Sequence, residues 1–235
     1  MLGVVDFDVR TPASPEVLRA RVAENLQRGL PEAEPAPDHD GVLTIIANGP
    51  SAAQARPSGP VLAVNGAIRL LTPTFWACCD PQALVAGFLT EPPMATRYFV
   101  ASKCDPAVFD ALEGRDVTLW HIDDSHPAGV PSASSITLSA MSLFRSMGWR
   151  RFRTWGWDGC YIDGRDHAAP QAHARQDITL LIGEGRNEQA FRTTPTWACE
   201  AQDAVVQLAM ADYEVEVMGG GMIGAILRAV GVIRT

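Results

Sequence analysis

The residues whose types and spacing suit chemistry fall where apolar runs stop. Val42–Ala47 is apolar and ends at Asn48-Gly49-Pro50-Ser51, a turn that halts a buried strand and starts a helix. Amides at Gly49 and Ser51, with a helix dipole behind them, suit a phosphate or carboxylate, and Ser51 could instead cap the helix. The spacing is neither GxGxxG nor a Walker loop, so the turn alone says only that an anion fits a strand end. Asn65 follows the next apolar run and offers donors and acceptors to a base or ribose. Asp80 precedes Pro81; it takes a ribose hydroxyl, shares a Mg²⁺ ion with a second carboxylate, or caps a helix. Ser134 and Ser135 close Pro131–Ser135 ahead of a long apolar-faced stretch, as a second anion nest or a plain capped helix start.

The polar loop Asp158–His167 contributes a carboxylate and an imidazole. His167 titrates near neutrality and suits general acid–base work, or it is a loop histidine with no catalytic duty. His121, on a strand, is expected in or near the core, and His39, in a linker, is given no role. No metal cluster with ligand spacing and no Ser-His-Asp arrangement stands out.

These positions need a scaffold, and apolar periodicity supplies one. Strands are expected at Val42–Ala47, Val61–Val64, Thr74–Cys78, Arg97–Ala101, Asp116–Ile122, Phe152–Trp157, Asp177–Ile182 and Tyr213–Val217. Helical stretches fall near Gly66–Leu71, Pro81–Leu89, Pro106–Leu112, Ser134–Met147, Thr196–Ala211 and Met222–Val230. The alternation predicts an α/β protein with a doubly wound, mostly parallel sheet and helices on both faces. Its strand-end loops, including Ser102-Lys103 and Asp123-Asp124, then share one edge and form a binding crevice. Residues 1–40 differ: Ser14-Pro15-Glu16 opens a helix that Gly29 ends, and Pro31, Pro35 and Pro37 make an acidic linker. The division is a helical appendage with a Pro-rich linker over 1–40 and the main domain over 41–235.

Composition sets outer limits. The net charge of −8 argues against a duplex nucleic-acid surface. Arg145, Arg150, Arg151 and Arg153 cluster, as a local basic cleft or as a helix end followed by an exposed strand edge. Five cysteines without CxxC spacing read as reduced, buried thiols. With no signal segment and no apolar run of spanning length, the expectation is a cytoplasmic chain without a membrane partner. Gly219-Gly220-Gly221 serves a turn, or a subunit contact in a homo-oligomer; a turn is expected.

The strings IIANGPSA, LAVNGAIRLL, TFWACCDP and SASSITLSAMSLFRSMGWRRFRTWGWDGCYIDGRDHA resemble the domain of unknown function 115 superfamily. That group includes the archaeal 6-hydroxymethylpterin diphosphokinases and the central domain of the bacterial motility accessory factors. They are also similar to bacterial sialyltransferases that use CMP-sialic acid. The resemblance runs as an ordered series from about Val42 to Val230, with TTPTWACEAQD and YEVEVMGGGMIGAIL near its end. It implies a Rossmann-like nucleotide-binding transferase in which Asn48, Gly49, Pro50, Ser51 and Asn65 contact the nucleotide. Ser134 and Ser135 then approach its phosphate or base, and Asp80 matches an Asp before Pro. Asp158 matches the Asp of the family's LG…I…G.D pattern, and His167 matches the His that follows that loop, while the base of the sialyltransferases is a later His. The turn departs from relatives that carry Gly before the Asn, and only Asp80 stands where the pterin kinases have an Asp cluster.

Three functions follow. The first is a glycosyltransferase using a nucleotide-activated sugar of the CMP-nonulosonate type and a small-molecule or glycan acceptor, with His167 or Asp158 as base. The second moves pyrophosphate from ATP to a pterin-like alcohol, with Mg²⁺ on Asp80 and Asp158. The third is a non-catalytic nucleotide or metabolite binder.

Overall fold

The computed structural model describes residues 13–123, 125–169, 176–183 and 185–234. Strands β1 (His39–Ile46), β2 (Val61–Val64), β3 (Phe75–Cys78), β4 (Arg97–Ala101), β5 (Asp116–Trp120), β6 (Trp149–Trp155) and β9 (Glu214–Val217) form one sheet in the order β5-β4-β3-β2-β1-β6-β9. Every pairing in it is parallel. β2 is buried throughout, and in β1, β3, β4 and β5 the C-terminal residues are buried while the first residues are more open, the pattern of strands covered on both faces. Leu43, Ile45, Leu62, Trp76, Tyr98 and Phe99 are essentially sealed at its centre.

The chain moves outward from β1 to β5, then returns to lay β6 on the opposite side of β1. That reversal opens a crevice outside the C-terminal ends of β1 and β6. Helices are interleaved: α1 (Pro15–Leu26), α2 (Pro106–Asp110), α3 (Ile136–Ser146), α4 (Pro195–Ala209) and α5 (Met222–Ala229). Ser14, Asp105, Ser135 and Thr194 each cap a helix through the side chain, satisfying amides of the first turn.

Several expectations change. The connections after β1, β2 and β3 are only short 3-10 helices, Pro50–Gln54, Asn65–Arg69 and Ala83–Phe88, so no long helix dipole stands behind Gly49. Pro50 opens the first of them and Gly66 and Gly87 interrupt the others, which suits 3-10 turns more than α-helices. The predicted strand near Asp177–Ile182 is β7 (Ile178–Ile182), outside the main sheet. It pairs antiparallel with an unforeseen strand, β8 (Gln189–Thr193). Its alternating exposure is that of a surface hairpin, not of a buried parallel strand.

His39 belongs to the start of β1, its ring edge-on to Trp149 at 4.2 Å. The proline-rich stretch before it is tied to the sheet: Leu119 N donates to Pro31 O and Ala33 N to Leu119 O, both at 2.8 Å. Asp124 lies outside the described residues. No helix among the described residues is long and apolar enough to cross a membrane.

Candidate functional site

The crevice at the β1–β6 reversal is a cleft of about 430 Å³. Asn48, Gly49, Asn65, Asp80, Ser134, Ser135, Asp158 and His167 all line it. Residues from five loops, far apart in sequence, thus meet because parallel strands end on one edge. Pro50 and Ser51 do not line it; both are buried behind it.

Turn chemistry explains why Ser51 lies inside. Its amide donates to Asp158 Oδ2 at 2.8 Å, and its hydroxyl accepts from Gly156 N at 2.8 Å. Gly49 N donates to Gly156 O at 2.7 Å. The end of β1 is therefore latched to the end of β6, and the two amides expected to cradle an anion are already used. Gly219 and Gly221 close the latch from the other side. A Cβ on Gly221 would lie 2.5 Å from Asp158 Cα, and one on Gly219 2.7 Å from Ser51 Cβ. The Gly219–Gly221 segment thus serves a close approach between backbones within one chain.

Asp158 is 2% exposed, and its Oδ1 has no hydrogen-bond partner. Burial raises its carboxyl pKa, opposed by the Ser51 hydrogen bonds. In this geometry it anchors the turn. Asp80 Oδ1 accepts from Gln82 N at 2.9 Å and so closes its own turn. Burial also raises the Asp80 pKa, opposed by Gln82 and by the charge of Lys103. Both carboxylates line the cleft, each with one oxygen committed to a backbone amide, Asp158 Oδ2 to Ser51 N and Asp80 Oδ1 to Gln82 N. Among the described residues no group of three His, Cys, Asp or Glu side chains could hold a metal.

The second predicted anion nest is also filled from within. Ser135 Oγ caps α3 by accepting from Leu138 N, and Ser134 N donates to Asp203 Oδ2 at 2.7 Å. Both serines line the cleft, with the hydroxyl of Ser135 engaged in the cap.

His167 is better placed than a surface-loop histidine. Its side chain is 9% exposed, and Asp166 Oδ2 stands 3.2 Å from Nδ1. Ala168 N donates to Asn48 O at 2.7 Å, which pins the histidine's loop onto the first strand-end turn. The Trp197 ring lies 6.3 Å from the imidazole, edge-on. An acid beside the ring forms an ion pair with the imidazole when that is protonated.

Sequence reasoning gave no role to Asp166, Trp157, Trp197 or Glu200, which also line the cleft, and placed Lys103 at its edge without assigning it any chemistry. Trp157 Nε1 donates to Glu200 Oε1 at 2.6 Å. Asp166 is adjacent to His167 in sequence, a signal that was available; Trp197 and Glu200 arrive on α4 and had none. Cys160 lines the cleft too, but burial pushes its thiol up to about 11, so it remains protonated at neutral pH. His121 is buried as expected, Nδ1 2.8 Å from Ser102 Oγ and Nε2 3.3 Å from Glu32 Oε2. That Ser-His-Glu relay has its serine fully buried, so it braces the end of β4 and attacks nothing.

One solved structure decides what this fold is similar to. It is the MAf glycosyltransferase from Magnetospirillum magneticum AMB-1. The match covers 95% of this chain and 42% of that one, with a TM-score of 0.57 and 12% identity. The chain therefore spans less than half of that protein's length, and the likeness is one of fold. No protein-family model matches the chain, and no curated protein matches it. The expected likeness to the motility accessory factors thus appears in the backbone and not in any matched sequence family.

Proposed function

We propose that the protein is a nucleotide-dependent glycosyltransferase of the motility-accessory-factor type, using a nucleotide-activated sugar of the CMP-nonulosonate class. The observation that carries this reading is the Asp166–His167 pair held over a polar cleft at the β1–β6 reversal. Asn48, Asn65, Ser134 and Ser135 meet the nucleotide, and Trp197 offers a ring face to sugar or base. An acceptor hydroxyl enters beside His167.

The step balances as an acyl-free displacement. The acceptor oxygen bonds to the anomeric carbon as the bond from that carbon to the phosphate oxygen breaks. The electron pair leaves with the phosphate, and the acceptor's proton passes to the His167 imidazole. Asp166 at Nδ1 stabilises the imidazolium that forms. Asp158 takes no proton; it keeps Ser51 and the first turn in place. Pyrophosphate transfer finds less support, because Asp158 Oδ2 and Asp80 Oδ1 are each committed to a backbone amide.

A thermal-shift screen with CMP, UDP, GDP, ADP and a pterin, each with and without Mg²⁺, tests the reading. A shift with CMP that needs no Mg²⁺, followed by sugar transfer to a glycan acceptor, is the expected result. Stabilisation only by ADP with Mg²⁺, or by the pterin, would replace it with pyrophosphate transfer. Binding without turnover by any nucleotide sugar would leave a non-catalytic binder.

A further inference from the structure

The amides that strand-end chemistry would offer to an anion are taken by the protein itself. Gly49 N is held by Gly156 O, Ser51 N by Asp158, and Ser134 N by Asp203. A phosphate entering this cleft needs positive charge from elsewhere. Of the 19 Lys and Arg residues in the chain, a single one is lysine, Lys103. Among the described residues it is also the one Lys or Arg side chain that lines the cleft. It is 9% exposed and acts electrostatically on Asp80.

The position of Lys103 is built. Asn25 of α1 is fully buried, and its Nδ2 donates to Ser102 O at 2.9 Å and to Cys104 O at 3.0 Å. Those are the two carbonyls that flank Lys103. The Ser102 hydroxyl is held by His121 at 2.8 Å. Arg21, one turn earlier on α1, reaches Pro81 O and, at 2.6 Å, Asp105 Oδ2. One helix therefore ties the turn bearing Asp80 to the turn bearing Lys103. A lysine kept for solubility needs no such bracing; a charge held nine-tenths buried at a strand end does.

We infer that Lys103 binds the phosphate of the donor, and that α1 is the clasp that holds it at the cleft. This rests on the nucleotide-donor reading above. During transfer the charge that gathers on the departing phosphate oxygen then lies beside the Lys103 ammonium. The ligand class is a phosphate ester or anhydride, read as a point charge and not by a planar guanidinium fork.

Because the chain has one lysine, protein grown with ¹³Cε-lysine gives one lysine side-chain signal. It is titrated with inorganic pyrophosphate and with CMP and UDP, and binding is measured in parallel by calorimetry. A saturable shift of that signal, with Lys103→Met weakening affinity roughly 10- to 100-fold, is expected for a charge-assisted contact. A nucleotide that binds by calorimetry while the signal stays still, with K103M affinity unchanged, overturns the Lys103 assignment and leaves the donor reading standing. A signal that moves with pyrophosphate while no nucleotide binds keeps the anion site and removes the donor reading. No response to any of the three removes both. The titration uses the wild-type chain, so it holds even if K103M folds poorly.

Discussion

Gly49→Ala probes the latch between β1 and β6 without disturbing backbone preference. Gly49 sits at φ −64° and ψ 164°, a region alanine adopts freely. Its need for glycine comes from contact alone. A Cβ there would lie 2.5 Å from Gly156 O and 2.5 Å from Asp158 Oδ2. Neither can give way cheaply, because Gly156 O accepts from Gly49 N and Asp158 Oδ2 from Ser51 N. Overpacking of this kind costs about 1–3 kcal/mol, and a stretched hydrogen bond adds about 1 kcal/mol. The expected loss is about 2–4 kcal/mol, or roughly 4–16 °C in Tm for a chain of this size. Urea unfolding followed by tryptophan fluorescence measures it, with the slope against urea expected to stay constant. Gly87→Ala is the control, since a Cβ there meets nothing within 4 Å. If the two variants unfold within about 0.5 kcal/mol of each other, the close approach of β1 and β6 is not what holds the cleft.

Three further outcomes follow from the same geometry. His167→Ala should lower kcat by roughly 10²- to 10⁴-fold with donor affinity within about twofold of wild type; a lost affinity instead makes His167 a binding residue. Ser51→Ala should destabilise the fold by about 1–3 kcal/mol, because buried Gly156 N loses its acceptor, and unfolding at unchanged urea would contradict the latch. Asp158 gives a pH dependence whose sign is set by burial. Its folded carboxyl pKa is raised, so the folded state holds the proton longer than the unfolded chain. The associated stability is present below the ordinary carboxylate range and is lost as pH rises through the folded value. Asp158→Asn keeps an acceptor for Ser51 and removes that loss, so its stability relative to wild type should increase as pH rises above the ordinary carboxylate range; a difference that stays constant with pH would refute the assignment.

Much of this protein was legible in its residues. Buried parallel strands are nearly continuous apolar runs, so β1 to β5 could be placed, and Gly, Pro and Asn marked where they stop; β6, with three arginines, begins three residues before its expected start. Their shared edge followed from alternation of strand and helix, and it brought Asn48, Asn65, Asp80, Ser134, Asp158 and His167 to one cleft. Ser135 read equally well as a cap or an anion site, since both use the same hydroxyl; the structure uses it as a cap.

Tertiary structure alone decided how those polar groups are spent. Whether Gly49 and Ser51 offer their amides to a ligand depends on what stands opposite, and Gly156 and Asp158 stand there from more than a hundred residues away. No local pattern encodes that pairing. The same holds for Lys103, whose flanking carbonyls are held by Asn25 on a helix that sequence treats as an appendage. The strand β7 was assigned to the main sheet because a short apolar run has no mark for which sheet it joins, and its partner β8 was missed. Residue types determined which chemistry this chain carries. Long-range contacts, formed only when the sheet closes, determined that His167 and Lys103 face the cleft while Ser51 and Asp158 hold its wall together.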